Sequence, residues 1–238
     1  MGIKEKLLNC IPDLFKEAIA NEYFSKLNGT FIFSQEGEDK LLQRFLNNSN
    51  PGIFVDVGAH HPTLINNTYF FYRSGYRGIN IDATPGSMKL FNKLRPYDIN
   101  IEVPISDLQE DIVFYIFNTP ELNTFDETKI EYFLKFDGVK LINEVKLKPE
   151  KLSSILDKNL HKFNSKYITF FTIDVEGYDL NVLKSNDWNK YKPKYILAED
   201  LFSDIIDTSK SDLTLFLIEH GYRFVAKTYN TAFYKYIE

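Results

Sequence analysis

Short apolar runs ending in an acidic residue alternate along this chain with stretches whose apolar positions recur at helical spacing. The clearest run is Phe54-Val55-Asp56-Val57, followed at once by Gly58-Ala59-His60, and the next is Ile79-Asn80-Ile81-Asp82-Ala83-Thr84. Apolar runs of this length bounded by turn residues predict buried strands. Strands are expected at 53–57, 78–82, near 99–105, an added one near 111–117, then 167–173, 195–199, 222–228 and 231–237. Helices are expected near 65–74, 87–94, 150–158, 179–185 and 211–220. A further helix carries Leu41, Leu42, Phe45 and Leu46 on one face, with Ser34 as its N-cap and acidic residues in its first turn.

Strands alternating with helices imply a mainly parallel sheet covered on both faces. The last two strands are separated by little more than Asn230 and must form an antiparallel hairpin. The expected fold is therefore α/β and Rossmann-like, a mainly parallel seven-stranded sheet with a C-terminal antiparallel hairpin. That hairpin is unusual for a dinucleotide dehydrogenase. Residues 118–150 are the least regular part and read as an insertion over one sheet edge. Residues 1–30 read as an N-terminal helical cap divided at Pro12, and residues 31–238 as the main domain.

At 238 residues and 44% apolar content, the chain is long enough for one sizeable core without staples. A net charge of -5, with basic residues scattered along the sequence, predicts no nucleic-acid or anionic-membrane partner. Cys10 is the single cysteine and suits a reducing compartment. No apolar run approaches a transmembrane length, and Asp13, Lys16 and Glu17 interrupt any signal peptide, so a cytoplasmic location is expected. Whether the chain forms a homo-oligomer is left open.

In an open parallel sheet, ligands bind beyond the carboxyl ends of the strands. The polar residues there are Asp56 and Gly58, Asp82, Ser106 and Asp107, Asp174 and Glu176, and Glu199 and Asp200. So many carboxylates on one rim repel unless ligand hydroxyls, an ammonium group or a metal compensates them. S-adenosylmethionine suits the rim. Asp82 would take the ribose hydroxyls, Ser106 or Asp107 the adenine amine, and Asp56 would offer charge to the sulfonium or ammonium. Gly58 lets the backbone approach the ligand closely. Asn67 opens a helix beside the cofactor, where it would either bond the amino-acid end or cap the helix. With Gln35, Ala59 and Ala83, these residues complete the expected cofactor set. The turn after Gly58 lacks the second and third glycines of a pyrophosphate cradle.

For the chemistry, two readings stand side by side. Asp174, Glu199 and Asp200 form an all-oxygen set suited to Mg²⁺ or Mn²⁺, which would lower the pKa of a substrate hydroxyl. Alternatively, Asp174 or Glu176 acts directly as general base and the Glu199-Asp200 pair is a helix cap. His60 and His61 are placed to take a proton near neutral pH, to complete a metal site, or to bond a backbone carbonyl.

The segments Ser34-Gln35-Glu36-Gly37-Glu38-Asp39, Phe54-Val55-Asp56-Val57-Gly58-Ala59, Asn67-Thr68-Tyr69 and Gly75-Tyr76-Arg77-Gly78-Ile79 carry a resemblance. It continues in Leu122-Asn123-Thr124-Phe125, Ile173-Asp174-Val175-Glu176-Gly177, Val182-Leu183-Lys184, Asp187-Trp188 and Glu199. In this order and spacing the chain resembles the FkbM family of S-adenosylmethionine-dependent methyltransferases over roughly residues 31–235. The resemblance implies a class I methyltransferase fold and transfer of a methyl group, usually to a hydroxyl oxygen. Gln35, Gly58 and Asp82 look like cofactor-side positions of the family pattern. Pro62 stands where many relatives carry glycine, and Asp82 where many carry glutamate.

The resemblance points to a sugar hydroxyl as acceptor, on a nucleotide-linked or surface-glycan sugar. A polyketide or other small metabolite is the competing acceptor, and a non-catalytic nucleoside-binding module the competing class. A polar and aromatic lining from the insertion would favour sugars, and an apolar one polyketides. By strand position, Asp174 with Glu199-Asp200 is also similar to metal-dependent catechol-type O-methyltransferases.

Overall fold

The computed structural model describes residues 31–47, 50–108, 110–164, 167–201, 203–204, 206–207 and 210–237. The helical cap expected at 1–30 lies outside the described residues. The chain enters through helix α1 (Glu38–Leu46) and then strand β1 (Ile53–Val57). Helix α2 (Tyr69–Arg73), strand β2 (Arg77–Asp82), helix α3 (Met88–Leu94) and strand β3 (Ile99–Glu102) follow. Beyond the insertion come α5 (Leu152–Asn159), β6 (Ile168–Ile173), α6 (Asp179–Lys184), β7 (Tyr195–Glu199), α7 (Asp212–Glu219), β8 (Tyr222–Lys227) and β9 (Thr231–Tyr236).

Seven strands form one sheet in the order β3-β2-β1-β6-β7-β9-β8. Strands β3, β2, β1, β6 and β7 run parallel, and β9 runs antiparallel to both β7 and β8. This is the Rossmann-like arrangement expected, closing hairpin included. Chain order reverses between β1 and β6, and such a switch point leaves a crevice at the carboxyl ends.

Alternation along the strands sorts the core onto two faces. On one, Val55, Val57, Ile79, Ile81, Phe171 and Ile173 pack against Leu156 of α5, Val182 of α6 and Leu217 of α7. On the other, Phe54, Phe170, Leu197 and Phe233 pack against Leu42 and Leu46 of α1 and Phe71 of α2. All five residues of β1 are buried, which is why four of them are apolar and only Asp56 interrupts the run.

Three local expectations are corrected. The N-cap of α1 is Gly37 at φ 91°, not Ser34. Ser34 instead accepts from the Asp39 N–H at 3.3 Å and donates to its Oδ1 at 3.0 Å, bonding back onto the first turn. Helix α2 starts at Tyr69 rather than near 65, because Ile65 takes φ 47° and Asn66 Oδ1 accepts from the Thr68 N–H. The insertion is also more regular than expected. Strand β4 (Ile112–Phe117) pairs antiparallel with β5 (Leu141–Leu147) in a two-stranded sheet of its own. A short helix α4 (Ile130–Phe133) lies between them. No helix of the described residues is long and apolar enough to cross a membrane.

Candidate active site

The turn after β1 is shaped by its neighbours. The N–H groups of Gly58 and Ala59 both donate to the Ile81 carbonyl, at 2.9 and 3.0 Å. Gly58 takes φ +82°, and a Cβ there would sit 1.7 Å from the Asp174 backbone oxygen. Glycine is thus demanded by the exit of β6, not only by a ligand. At the tip of β2, Asp82 accepts from the His60 N–H (Oδ2, 2.9 Å) and from the Thr84 N–H (Oδ1, 2.7 Å). Both oxygens are held in place, and each keeps a further lone pair.

These tips border an open cavity with about 830 Å³ of space outside protein atoms, solvent at its mouth included. Its floor includes Val57, Gly58, Ile81–Thr84, Val103–Ile105 and Asp174–Glu176, with Gln35 and His60 at the side. The insertion supplies the roof through Phe114, Pro120, Glu121, Asn123 and Phe125. Asn123 Nδ2 donates to Thr84 Oγ1 at 3.3 Å, and Thr124 Oγ1 donates to the Glu176 carbonyl at 2.8 Å. His60 Nε2 lies 3.4 Å from Glu121 Oε1. The roof is therefore tied down at both ends of the cavity.

The acidic end is the most unusual electrostatically. One carboxylate oxygen each of Asp174, Glu176 and Glu199 lies within 4.8 Å of the others. The Asp174 side chain is exposed to the recess. Partial removal from bulk water within the recess, reinforced by Glu199, Glu176 and Asp179, raises its pKa well above the ordinary value near 3.8, while Lys129 opposes the rise. Glu199 is pushed up to about 7 by burial and then by Glu176. Asp179 is pushed up to about 8 by burial and then by Glu199, and its Oδ1 has no hydrogen-bond partner among the described residues. Lys129 Nζ lies 3.2 Å from Glu176 Oε2.

The structure brings together Gln35, Gly58, His60, Asp82, Ala83, Asp174 and Glu176 around the cavity. Other expected residues stand elsewhere. Asp56 is buried beneath the turn, accepting from Thr68 Oγ1 at 2.8 Å and Asn66 Nδ2 at 3.4 Å, with burial raising its pKa to about 6. It anchors a polar core with buried Arg95, whose Nη1 donates to Thr68 Oγ1 and Asn66 Oδ1, and faces no ligand space. Ala59 packs on Met88 and Phe91. Asn67 Nδ2 donates to Thr172 Oγ1 at 3.0 Å, tying α2's entry to β6.

Ser106 accepts from the Leu108 N–H, and Asp107 accepts from Asn181 Nδ2 at 2.9 Å. Val103, Pro104 and Ile105, rather than the expected Ser106 and Asp107, line the cavity wall beyond β3. His61 Nδ1 accepts from the Thr63 and Leu64 N–H groups at 3.2 and 3.0 Å, so it shapes a turn.

Asp200 is the clearest correction. Its carboxylate accepts from Ser211 and Thr214 hydroxyls, the Tyr234 hydroxyl and the Ser203 N–H, apart from the acidic trio. Glu176 stands where Asp200 was expected. The trio has the hard oxygen chemistry of a Mg²⁺ or Mn²⁺ site. A divalent ion there would nonetheless have to share Glu176 with an ammonium 3.2 Å away, so the residues present do not fit one.

Sequence reasoning gave no role to Thr84, Asn123, Lys129 or Asp179. Thr84 and Asn123 lie in segments already singled out, Ile79-Asn80-Ile81-Asp82-Ala83-Thr84 and Leu122-Asn123-Thr124-Phe125.

Comparison with known proteins matches the methyltransferase FkbM domain to residues 56–224. No curated protein matches the chain. Among solved structures, an O-methyltransferase from Bacillus cereus in complex with SAH aligns with 96% of this chain and 93% of that one, at 11% identity and a TM-score of 0.42. The family match covers well over half of the 238 residues, on the segment that builds the cavity floor and roof. The chain belongs to the FkbM family of S-adenosylmethionine-dependent methyltransferases.

Proposed function

We propose that this methyltransferase transfers its methyl group to a sugar hydroxyl, on a nucleotide-linked or surface-glycan sugar, with Asp174 as general base. The observation that carries the reading is one cavity lined by Asp82 from β2 and by Asp174 and Glu176 beyond β6, the strands on either side of β1. Asp82 is suited to the two ribose hydroxyls, since both its oxygens are oriented and keep lone pairs. Val103, Pro104, Ile105 and Phe114 offer an apolar slot for adenine, and Gln35 and Gly58 border the methionine portion. The cofactor supplies an electrophilic methyl group on a cationic sulfur, which an acidic rim attracts.

Asp174 then does the proton work. Once ionised, a form that Lys129 favours, a carboxylate with a raised pKa is a stronger base than an ordinary one and suits removal of a hydroxyl proton during an in-line displacement. Placement of the acceptor oxygen behind the methyl carbon supplies much of the remaining rate. Glu176 holds the acidic end in register, and His60 holds Glu121 of the roof.

The lining from the insertion supports a sugar over a polyketide. Glu121 and Asn123 provide polar groups for hydroxyls, and Phe125 and Pro120 provide flat apolar surface for a pyranose face. A test is calorimetric titration with S-adenosylhomocysteine, then radiolabelled methyl transfer to a panel of nucleotide sugars and polyketide alcohols. Binding followed by labelling of a sugar is expected. Labelling of the polyketides alone would replace the acceptor class, and no cofactor binding would leave neither.

A further inference from the structure

The charge that balances the acidic trio comes from the insertion. Lys129 ends a 3-10 turn, Glu127–Lys129, whose N-cap Asp126 accepts from the Thr128 N–H at 2.9 Å. Its Nζ meets Glu176 Oε2 at 3.2 Å, with the two side chains only 23% and 24% exposed. The lysine stem is packed in place. A Cβ on Gly177, which takes φ +101°, would come within 3.0 Å of Lys129 Cε and 3.3 Å of Asp126 Oδ2. Nζ also lies 5.8 Å from the Phe133 ring centroid. On the facing side, the Thr124 hydroxyl fixes the backbone of Glu176, itself at φ 51°.

The groups around this ammonium come from several elements. They are Asp174 and Glu176 beyond β6, Glu199 at the end of β7, Asp179 opening α6, and Asp126 in the turn of Lys129 itself. Lys129 is the cation that draws Asp174, Asp179 and Glu199 back toward their ionised forms. A divalent ion in such a carboxylate cluster would supply the same service: neutralise the cluster and hold its oxygens.

We propose that Lys129 is a built-in cation that pins Glu176 beside Asp174 and Glu199 and takes the place of a divalent metal, so that methyl transfer proceeds without one. The proposal rests on the reading of Asp174 as general base. In the reaction the acceptor oxygen bonds the methyl carbon as the carbon–sulfur bond breaks. The hydroxyl proton passes to Asp174, the sulfur leaves as a neutral thioether, and Lys129 keeps its proton throughout. Lys129 is thus a positioning residue, and the insertion completes the reaction centre as well as roofing it.

The test is calorimetric titration of the full chain with MnCl₂ after chelator treatment, for wild type, K129M and K129R, with S-adenosylhomocysteine binding as control. Wild type and K129R are expected to show no Mn²⁺ binding tighter than about 1 mM. K129M, with the trio uncompensated, is expected to bind Mn²⁺ at least ~10-fold more tightly, about 1.4 kcal/mol. Wild-type transfer is expected to survive the chelator, whereas K129M is expected to lose about 10-fold or more and to regain part with Mn²⁺. Tight Mn²⁺ binding by wild type, or no gain in K129M, would overturn the proposal. The Mn²⁺ titration needs no acceptor, so its failure is distinct from failure of the methyltransferase reading, which the control reports.

Discussion

The backbone N–H of His60 donates to Asp82 Oδ2 at 2.9 Å, and this bond clamps the turn after β1 to the tip of β2. Each of the two residues fixes the other. His60 is held at φ 51°, where its ring reaches Glu121 of the roof, and Asp82 is held facing the cavity.

Replacing Asp82 with alanine should therefore weaken S-adenosylhomocysteine binding about 10- to 100-fold. Hydrogen bonds to a charged acceptor are worth roughly 1.5–3 kcal/mol each, and the variant loses the acceptor and the clamp together. Calorimetric titration reads this directly, and an unchanged affinity would remove Asp82 from the ribose site.

The two adjacent histidines should separate cleanly. His61 Nδ1 accepts two backbone N–H groups, a task an Asn side-chain oxygen also performs in turns. His61→Asn should keep thermal stability and cofactor affinity near wild type, and His61→Ala should cost about 1 kcal/mol in urea unfolding. Selective loss of methyl transfer in His61→Asn, with stability kept, would argue that the ring itself takes part.

Gly58→Ala should be severe. The added Cβ meets a backbone oxygen at 1.7 Å and the φ of +82° disfavours any side chain, so a loss of roughly 3 kcal/mol or more is expected. For a chain of this size that is a fall in Tm of about 6 °C or more. A Tm within a degree of wild type would mean that β1 and β6 can part without cost.

Asp179 carries a pH signature. Its folded pKa of about 8 lies above the unfolded value near 3.8, so the folded protein retains a proton that the unfolded chain releases. Stability from this group is complete at low pH and falls as pH rises from about 4 to about 8, with no further loss above. Asp179→Asn should flatten that part of the profile, raising Tm relative to wild type at pH 8 while leaving it similar at pH 4.5. Parallel Tm profiles for the two proteins would show that Asp179 titrates normally.

The main sheet was legible because its central strands β1, β2, β6 and β7 are buried nearly throughout and punctuated by turns. Strand β5 was not. Its residues are mostly exposed, Ile142 included, and it is ordered by β4 rather than by the core. The acids at strand tips misled in a regular way. Asp56 falls on the same side of β1 as Phe54, so alternation carries it toward buried Arg95 rather than outward. Asp200 follows Glu199 by one residue, and consecutive side chains diverge. Asp82 and Asp174, closest to the strand exits, were legible as cavity residues. Lys129 and Asn123 were not, since they reach Glu176 and Thr84 across 47 and 39 positions, beyond any local pattern.

Because β4 and β5 make a sheet of their own, the segment between β3 and α5 can change its length and side chains without breaking a ladder of the seven-stranded sheet. Such a module is exchangeable in principle, like a visor on a helmet. Any replacement must still offer partners to the Thr84 hydroxyl and the Glu176 carbonyl, and must arrive with a positive charge of its own. Acceptor range and proton chemistry would then be inherited together, so a domain swap that alters one resets the other.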